Sequence, residues 1–327
     1  MALLTARAFW TVAPGRGELR CEPLSAPGPD QVLVRTLASG VSRGTEALVF
    51  AGRVPESEWH RMRCPFQAGE FPFPVKYGYA AVGVVEAGPG PLLGRRVFCL
   101  HPHQDRFVVP AAAVIPIPDA VPTNRAVLAA NIETALNVVW DAEPVPGERA
   151  VVIGAGTVGL LVAVLLFRFP ALAVTVVDRD PAKEAACRAL GLAFARPEAA
   201  PREADLVVHA SGSPDALALA LDLAAFEGRI VEASWFGDCP VTLPLGGAFH
   251  ARRLKLISSQ VGSVAPRMRG KRTQAERLAL ALALLDDARL DALLDGPSRF
   301  EDLPATMARL AASPGALCHV VRYDPGP

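Results

Sequence analysis

Gly154-Ala155-Gly156-Thr157-Val158-Gly159 follows the apolar run at residues 150–153, and Asp178 stands at the end of a second apolar run at 174–177. This spacing suits the pyrophosphate of a dinucleotide. A buried parallel strand ending at Ile153 would hand over to glycines that allow a tight turn, close approach of backbone to phosphate and close packing of the next helix. A helix opening at Thr157 and Val158 would aim its terminal N–H groups at the anion. The glycines alone could equally serve a structural turn, but the very apolar stretch 160–167 and the position of Asp178 favour the cofactor. Asp178 would accept from an unmodified ribose diol and repel an added phosphate, which predicts NAD. Arg179 beside it keeps NADP possible.

Proton chemistry has several candidates. Ser42, Thr45 and Glu46 interrupt apolar sequence; they could donate to a substrate oxygen and relay its proton, or cap the helix that follows, with Glu46 favoured in its first turn. Glu133 lies in a largely apolar helical segment, where a lone carboxylate is costly, so it either faces a cleft or pairs with an arginine. His101 and His103 would share a face on a regular strand, although Pro102 and Gln104-Asp105 favour a loop. They read as acid/base groups, with a metal pair the weaker alternative for want of a third ligand. His209 is placed for a cofactor-side contact or a satisfied sheet end. Asn131 and Asn137 could orient a substrate or finish helix ends. His250, Arg252 and Arg253 read as a solvated helix end unless they meet an anion, and Cys318-His319 as structural.

Elements of two kinds must hold these groups. Residues 1–122 carry short strand-like runs at 31–36, 80–86, 96–100 and 107–109, punctuated by Pro and Gly, as in an irregular antiparallel β domain. A helix over 123–140 leads into regular alternation. Strands at 150–153, 174–178, 205–210, 229–233 and 254–258 are interleaved with helices at 157–168, 182–190 and 214–225. That pattern predicts an α/β doubly wound parallel sheet over 123–270. A helix at 276–286 and a strand at 318–323 fall in the closing segment 271–327, which would return to the first domain.

Composition narrows the class. The 327 residues are 51% hydrophobic, enough for two cores without metal or disulfide support. The 33 basic and 33 acidic residues cancel, so no global field draws the chain to nucleic acid or an anionic membrane. The apolar stretch 155–167 is too short to span a bilayer. Six scattered cysteines form no close Cys-x-x-Cys pair and no secretory leader is evident, from which free thiols in a reducing cytoplasm are expected.

Taken together, the chain resembles the medium-chain dehydrogenase/reductase superfamily, the zinc-type alcohol dehydrogenases. The resemblance runs over nearly the whole length through Gly78-Tyr79-Ala80-Ala81-Val82-Gly83-Val84-Val85, through residues 147–154, and through Ala210-Ser211-Gly212. It implies a GroES-like β domain, an inserted Rossmann domain, Ser211 and Gly212 in a turn on the nicotinamide side, a small-molecule substrate and a homodimer. It also implies where zinc ligands would stand. Ser42 occupies the approximate place of the first thiolate, Tyr79 that of the histidine and Ala80 that of the glutamate, while 129–134 offers no thiol. A hydroxyl and a phenol replace a thiolate and an imidazole poorly, so no catalytic zinc is expected. The passage 98–107 leaves no room for a four-cysteine structural lobe either.

Ser42-Arg43-Gly44-Thr45-Glu46 is similar to a segment of an atypical branch that includes bacteriochlorophyllide hydroxyethyl dehydrogenases, implying a secondary alcohol and ketone couple. The resemblance to the superfamily as a whole brings Tyr79 towards the reaction centre and makes it the leading proton donor, with a packing aromatic as the alternative. Lys76 could lower its pKa or be a solvated strand-edge charge. The Pro-, Phe- and Arg-rich stretch 52–77 could line a bulky substrate's cleft or form an interface. The expectation is a zinc-independent NAD-linked oxidoreductase; an NADPH-dependent enone or quinone reductase and a non-catalytic nucleotide-binding protein stand as alternatives.

Overall fold

The computed structural model describes residues 4–313 and 315–324. Two compact units divide it: one takes the chain up to Ala130, Leu278–Asp287 and everything from Leu294 onward, and the other takes Asn131–Arg277 with Ala288–Leu293.

The second unit is built on a six-stranded parallel sheet. Its strands run in the spatial order Ala193–Ala195, Ala173–Val177, Arg149–Ile153, Ala204–His209, Ala224–Glu232, Lys255–Ser258. The inner strands are near-continuous runs of Val, Ile and Leu because helices cover both faces. Helix Thr157–Phe167 is buried from Gly159 to Leu166 and has no polar side, as its sequence requires. Strand order reverses between Arg149–Ile153 and Ala204–His209, where Ile153 is in register with both Val177 and His209. The crevice outside the carboxyl ends of strands at such a reversal is where open α/β sheets bind nucleotides.

The first unit carries two sheets. In the larger, Leu294–Arg299, Cys318–Arg322, Gln31–Val41, Ala81–Ala87, Arg96–Cys99 and Val114–Pro116 pair in that order, and Arg106–Pro110 pairs with Gln31–Val41. The smaller orders Arg16–Leu24, Leu4–Ala13, Val75–Lys76 and Ala68–Gly69. Phe9, Phe50, Phe300, Met307 and Val321 form one core of this unit, and Val34, Val85, Val97 and Phe107 another.

Several bounds differ from expectation for physical reasons. The strand read at 31–36 continues to Val41, because Ser39 and Gly40 are buried rather than turn residues. The single helix read over 123–140 is two helices, Thr123–Ala126 and Ala129–Ala142. The hairpin Leu4–Ala13 with Arg16–Leu24 shows no clean two-residue period, because Ala8 and Phe9 are both buried in the first strand and the second has no buried position. No helix among the described residues is long and apolar enough to cross a membrane.

Candidate functional site

The glycine turn lies at the switch point. Gly154 has φ of +111°, and a Cβ there would lie 2.8 Å from the carbonyl carbon of Ala210 and the nitrogen of Ser211. A Cβ on Gly159 would collide with the carbonyl oxygen of Gly154, so only glycine lets helix Thr157–Phe167 approach the strand so closely. Gly156 differs: a Cβ there would meet no atom within 4 Å, so its missing side chain leaves an open cradle. Gly156 also caps the helix without a side-chain hydrogen bond. An open cradle at a helix N-terminus fits a pyrophosphate. Asp178 Oδ2 accepts from the N–H of Ala155 at 2.7 Å and Oδ1 accepts from the N–H of Asp180 at 2.9 Å. Each carboxylate oxygen keeps a further lone pair for a ribose hydroxyl. Arg179 is exposed.

Ser211 and Gly212 lie on the surface just past strand Ala204–His209. Ser211 Oγ stands 2.7 Å from His209 Nε2, and Glu232 Oε2 stands 2.7 Å from His209 Nδ1. Glu232, at the carboxyl end of the neighbouring strand, was not foreseen. Its signal is a charged residue closing the apolar pair 230–231. Ser234 completes the group by accepting from the N–H of Gly212 at 3.0 Å.

In the first unit the proton-chemistry candidates divide. Helix Arg43–Phe50 places Glu46 one turn in, where Oε1 accepts from the N–H of Ser42 at 2.7 Å. Ser42 is the N-cap residue, yet its side chain makes no capping bond. The Tyr79 hydroxyl instead engages the hydroxyls of Ser42 and Thr45. Burial first, and the nearby Glu46 charge second, push the Tyr79 phenol well above its ordinary pKa. It is therefore a neutral hydrogen-bond donor at physiological pH. Lys76 does not act on it, because its ammonium is held by Glu22 at 2.7 Å and Gln104 at 2.9 Å.

His103 is brought to Glu46, with Nε2 2.8 Å from Oε2. Its loop is fixed by backbone bonds from Phe9 N–H to the His103 carbonyl and from Thr36 N–H to the Asp105 carbonyl, each at 2.9 Å. Its other nitrogen, Nδ1, stands 2.7 Å from Ser39 Oγ, and Ser39 Oγ stands 3.0 Å from the hydroxyl of Tyr323. Ser39 and Tyr323 have no local sequence signal, since they are joined only by pairing of the strands Gln31–Val41 and Cys318–Arg322.

The remaining candidates have other partners. His101 points away from His103: it stacks on Phe107 at 3.9 Å between ring centroids, and its Nδ1–H donates to the Pro102 carbonyl at 2.9 Å. Burial, above all, lowers its pKa to about 3. Glu133 takes the arginine alternative: Arg277 Nε donates to it at 3.0 Å, and Arg277 Nη1 donates to Asn137 Oδ1 at 2.7 Å. Asn131 is buried. Arg252 pairs with Glu203 and Arg253 with Glu227. His319 Nε2 meets Ser298 Oγ at 3.0 Å.

The donor set does not fit zinc. Ser42 and Tyr79 are hydrogen-bonded to each other, and among the described residues no group of three or more His, Cys, Asp or Glu side chains could hold a metal ion. Burial pushes the thiols of Cys64, Cys99 and Cys318 each up to about 12.

No protein-family model matches the chain. It is 28% identical over 138 residues to an uncharacterized zinc-type alcohol dehydrogenase-like protein of Haemophilus influenzae, a stretch making up 38% of this chain and 40% of that protein. The alignment thus spans about two fifths of the curated relative. Among solved structures, an acetophenone reductase from Geotrichum candidum in complex with NAD superposes with a TM-score of 0.77 at 17% identity, covering 97% of both chains. The L-idonate 5-dehydrogenase of Escherichia coli superposes with a TM-score of 0.80 at 13% identity, covering 98% of both chains. A Sinorhizobium meliloti chain assigned as a zinc-binding dehydrogenase and bound to NADP superposes with a TM-score of 0.78 at 18% identity, covering 98% of this chain and 99% of that one. The protein thus has the fold of the medium-chain dehydrogenases/reductases of zinc-type alcohol dehydrogenase kind, with a serine and a tyrosine where the resemblance puts two metal ligands.

Proposed function

We propose that the protein is a zinc-independent, NAD-linked oxidoreductase that interconverts a hydroxyl and a carbonyl group on a fairly bulky metabolite. The observation that carries this reading is the Tyr79 hydroxyl, held by Ser42 and Thr45 beside the buried Glu46–His103 pair. The nicotinamide supplies or accepts the hydride. The second unit holds the dinucleotide through Gly154, Gly156, Gly159 and the first turn at Thr157 and Val158, with Asp178 on the ribose and Ser211 and Gly212 on the nicotinamide side. In the first unit Tyr79 hydrogen-bonds the substrate oxygen and protonates it as the carbonyl becomes an alkoxide; the proton comes back to Tyr79 from Glu46 and His103. Ser42 and Thr45 orient the phenol. The high pKa of Tyr79 suits an acid that must stay protonated until an alkoxide forms.

Aromatic side chains of the 52–77 stretch favour a bulky, apolar partner. Tyr77 meets Tyr79 edge-on with centroids 6.0 Å apart, and Phe71 lies 5.8 Å from Tyr77. The edge strand Lys255–Ser258, with Leu256 exposed, supports a homodimer formed by strand pairing. Six free cysteines fit a reducing cytoplasm.

The test is NADH oxidation by metal-stripped protein across bulky aryl ketones, aldehydes, enones and quinones. Carbonyl reduction that falls about 100-fold or more in Tyr79→Phe, with NADH affinity unchanged, is expected. Full activity in that variant, or turnover of enones and quinones alone with NADPH preferred, would overturn the reading. A reductase of the latter kind draws support from the exposed Arg179 and from NADP bound on the same fold in the Sinorhizobium protein.

A further inference from the structure

Glu46, His103, Ser39 and Tyr323 form an unbroken buried chain. The separations are 2.8 Å from Glu46 Oε2 to His103 Nε2, 2.7 Å from His103 Nδ1 to Ser39 Oγ, and 3.0 Å from Ser39 Oγ to the Tyr323 hydroxyl. The first three side chains expose 3%, 1% and 0% of their surface, so water does not interrupt the chain. Tyr323 exposes 7% and forms part of the wall of a cleft of about 450 Å³, which Arg7, Arg35, Asp105 and Arg106 also line. Every link is a group that can both give and take a proton, which a network built only to satisfy buried polar atoms does not require.

We propose that this chain is a proton conduit joining Glu46 to the charged cleft at Tyr323, and that Ser39 and Tyr323 are positioning residues of the reaction. The inference rests on the proton-handling role given above to Glu46 and His103.

Two arrangements of the same heavy atoms account for the transfer. In one, Glu46 is ionised and accepts from His103 Nε2–H, Ser39 O–H donates to Nδ1, and Tyr323 O–H donates to Ser39. In the other, Glu46 carries a proton and donates it to Nε2, His103 Nδ1–H donates to Ser39, and Ser39 donates to Tyr323. Going from the first to the second, Glu46 takes the Nε2 proton, Nδ1 takes the Ser39 proton, Ser39 takes the Tyr323 proton, and Tyr323 takes one from water in the cleft. One proton moves from solvent to Glu46, each intermediate group loses one and gains one, and histidine changes only its tautomer. Carbonyl reduction consumes a proton and runs the chain inward; alcohol oxidation runs it outward. Gly78 makes room for the imidazole, since a Cβ there would lie 3.0 Å from its Cδ2.

The experiment uses full-length protein labelled with ¹⁵N-histidine. Exchange of the His103 imidazole proton with water and the ¹⁵N shifts that report its tautomer are measured in wild type, Ser39→Ala, Tyr323→Phe and, as a control, Ser298→Ala. The control removes a serine hydroxyl from a different buried histidine, His319. Tyr323→Phe keeps the ring that stacks on Phe300 at 4.4 Å and removes only the hydroxyl. Expected are exchange at least about tenfold slower in Tyr323→Phe, a shifted tautomer balance in Ser39→Ala, and neither change in Ser298→Ala. Exchange in Tyr323→Phe as fast as wild type or faster overturns the conduit, and so does an equal slowing in Ser298→Ala. Absence of NADH binding or carbonyl turnover in wild type would instead remove the functional reading and leave the exchange result standing, so the two failures are separate.

Discussion

His103 Nε2 stands 2.8 Å from Glu46 Oε2, and the two side chains expose only 1% and 3% of their surface. Such a pair is poorly replaced one member at a time. Removing either leaves the other buried with an unanswered polar atom, at a cost of about 1–3 kcal/mol. Glu46→Ala and His103→Ala should each lower the free energy of unfolding in urea by this order, and the double variant should cost less than the sum. Strictly additive losses would show that the two groups are not coupled.

Gly156 and Gly159 are predicted to fail in different ways when replaced by alanine. At Gly159 the new Cβ meets the Gly154 carbonyl, so Gly159→Ala should lose several degrees in Tm whether or not nucleotide is present. At Gly156 nothing stands within 4 Å, so Gly156→Ala should fold with wild-type Tm and bind NADH at least about tenfold more weakly, some 1.4 kcal/mol. NADH fluorescence titration together with thermal unfolding separates the two. Normal NADH affinity in Gly156→Ala would mean that the cradle does not hold the pyrophosphate.

The same turn explains what a reader of the sequence can and cannot see. Gly154, Gly156, Gly159 and Asp178 lie within one strand–helix–strand unit, where residue spacing and spatial placement are nearly the same thing. The parallel sheet is legible for a similar reason, because burial on both faces makes its central strands largely apolar. The group proposed to handle protons is legible only in part: Glu46 and His103 stand out as candidates, but the residues that continue from them do not. Ser39 and Tyr323 are 284 residues apart and meet through antiparallel pairing whose register no local pattern encodes. Residues 101 and 103 differ in fate although their spacing treats them alike, because a backbone bond to Pro102 and the ring of Phe107 take one while Ser39 and Glu46 take the other. Glu133 shows a third limit. A carboxylate in an apolar helix announces a need for a partner, but not that the partner is Arg277.

Asp178 binds the turn through Ala155 and is also the group proposed to choose between dinucleotides. A carboxylate at this place repels a ribose phosphate, so wild type should bind NADH more tightly than NADPH. Asp178→Asn, which keeps an acceptor for the Ala155 N–H and loses the charge, should narrow that preference by about tenfold or more. Equal affinity of wild type for both cofactors would assign Arg179 the larger part.

Glu133 and Arg277 expose 4% and 2% of their surface, and Arg277 also donates to the carbonyls of Val261 and Ser263. This marks the pair as a strut of the second unit. Arg277→Met should therefore cost about 3–5 kcal/mol of stability. Glu133→Gln, which can still accept from Arg277, should lower stability less and leave turnover per folded molecule close to wild type. Loss of turnover in a stably folded Glu133→Gln protein would return Glu133 to the reaction.

His101 makes stability depend on pH in a direction that can be worked out. Burial holds its folded pKa at about 3, against an ordinary value of 6.5. Above the ordinary value both folded and unfolded chains carry it neutral, and its contribution to stability is complete. As pH falls from about 6.5 towards about 3, the unfolded chain binds a proton that the folded chain refuses, and stability declines by about 1.4 kcal/mol per pH unit from this group. His101→Gln removes the group that takes up that proton. Urea unfolding at a series of pH values between 6.5 and 4 should show the slope of the variant shallower than wild type by about one proton. Equal slopes in the two proteins would mean that His101 becomes protonated in the folded state despite its stacking between Phe66 and Phe107.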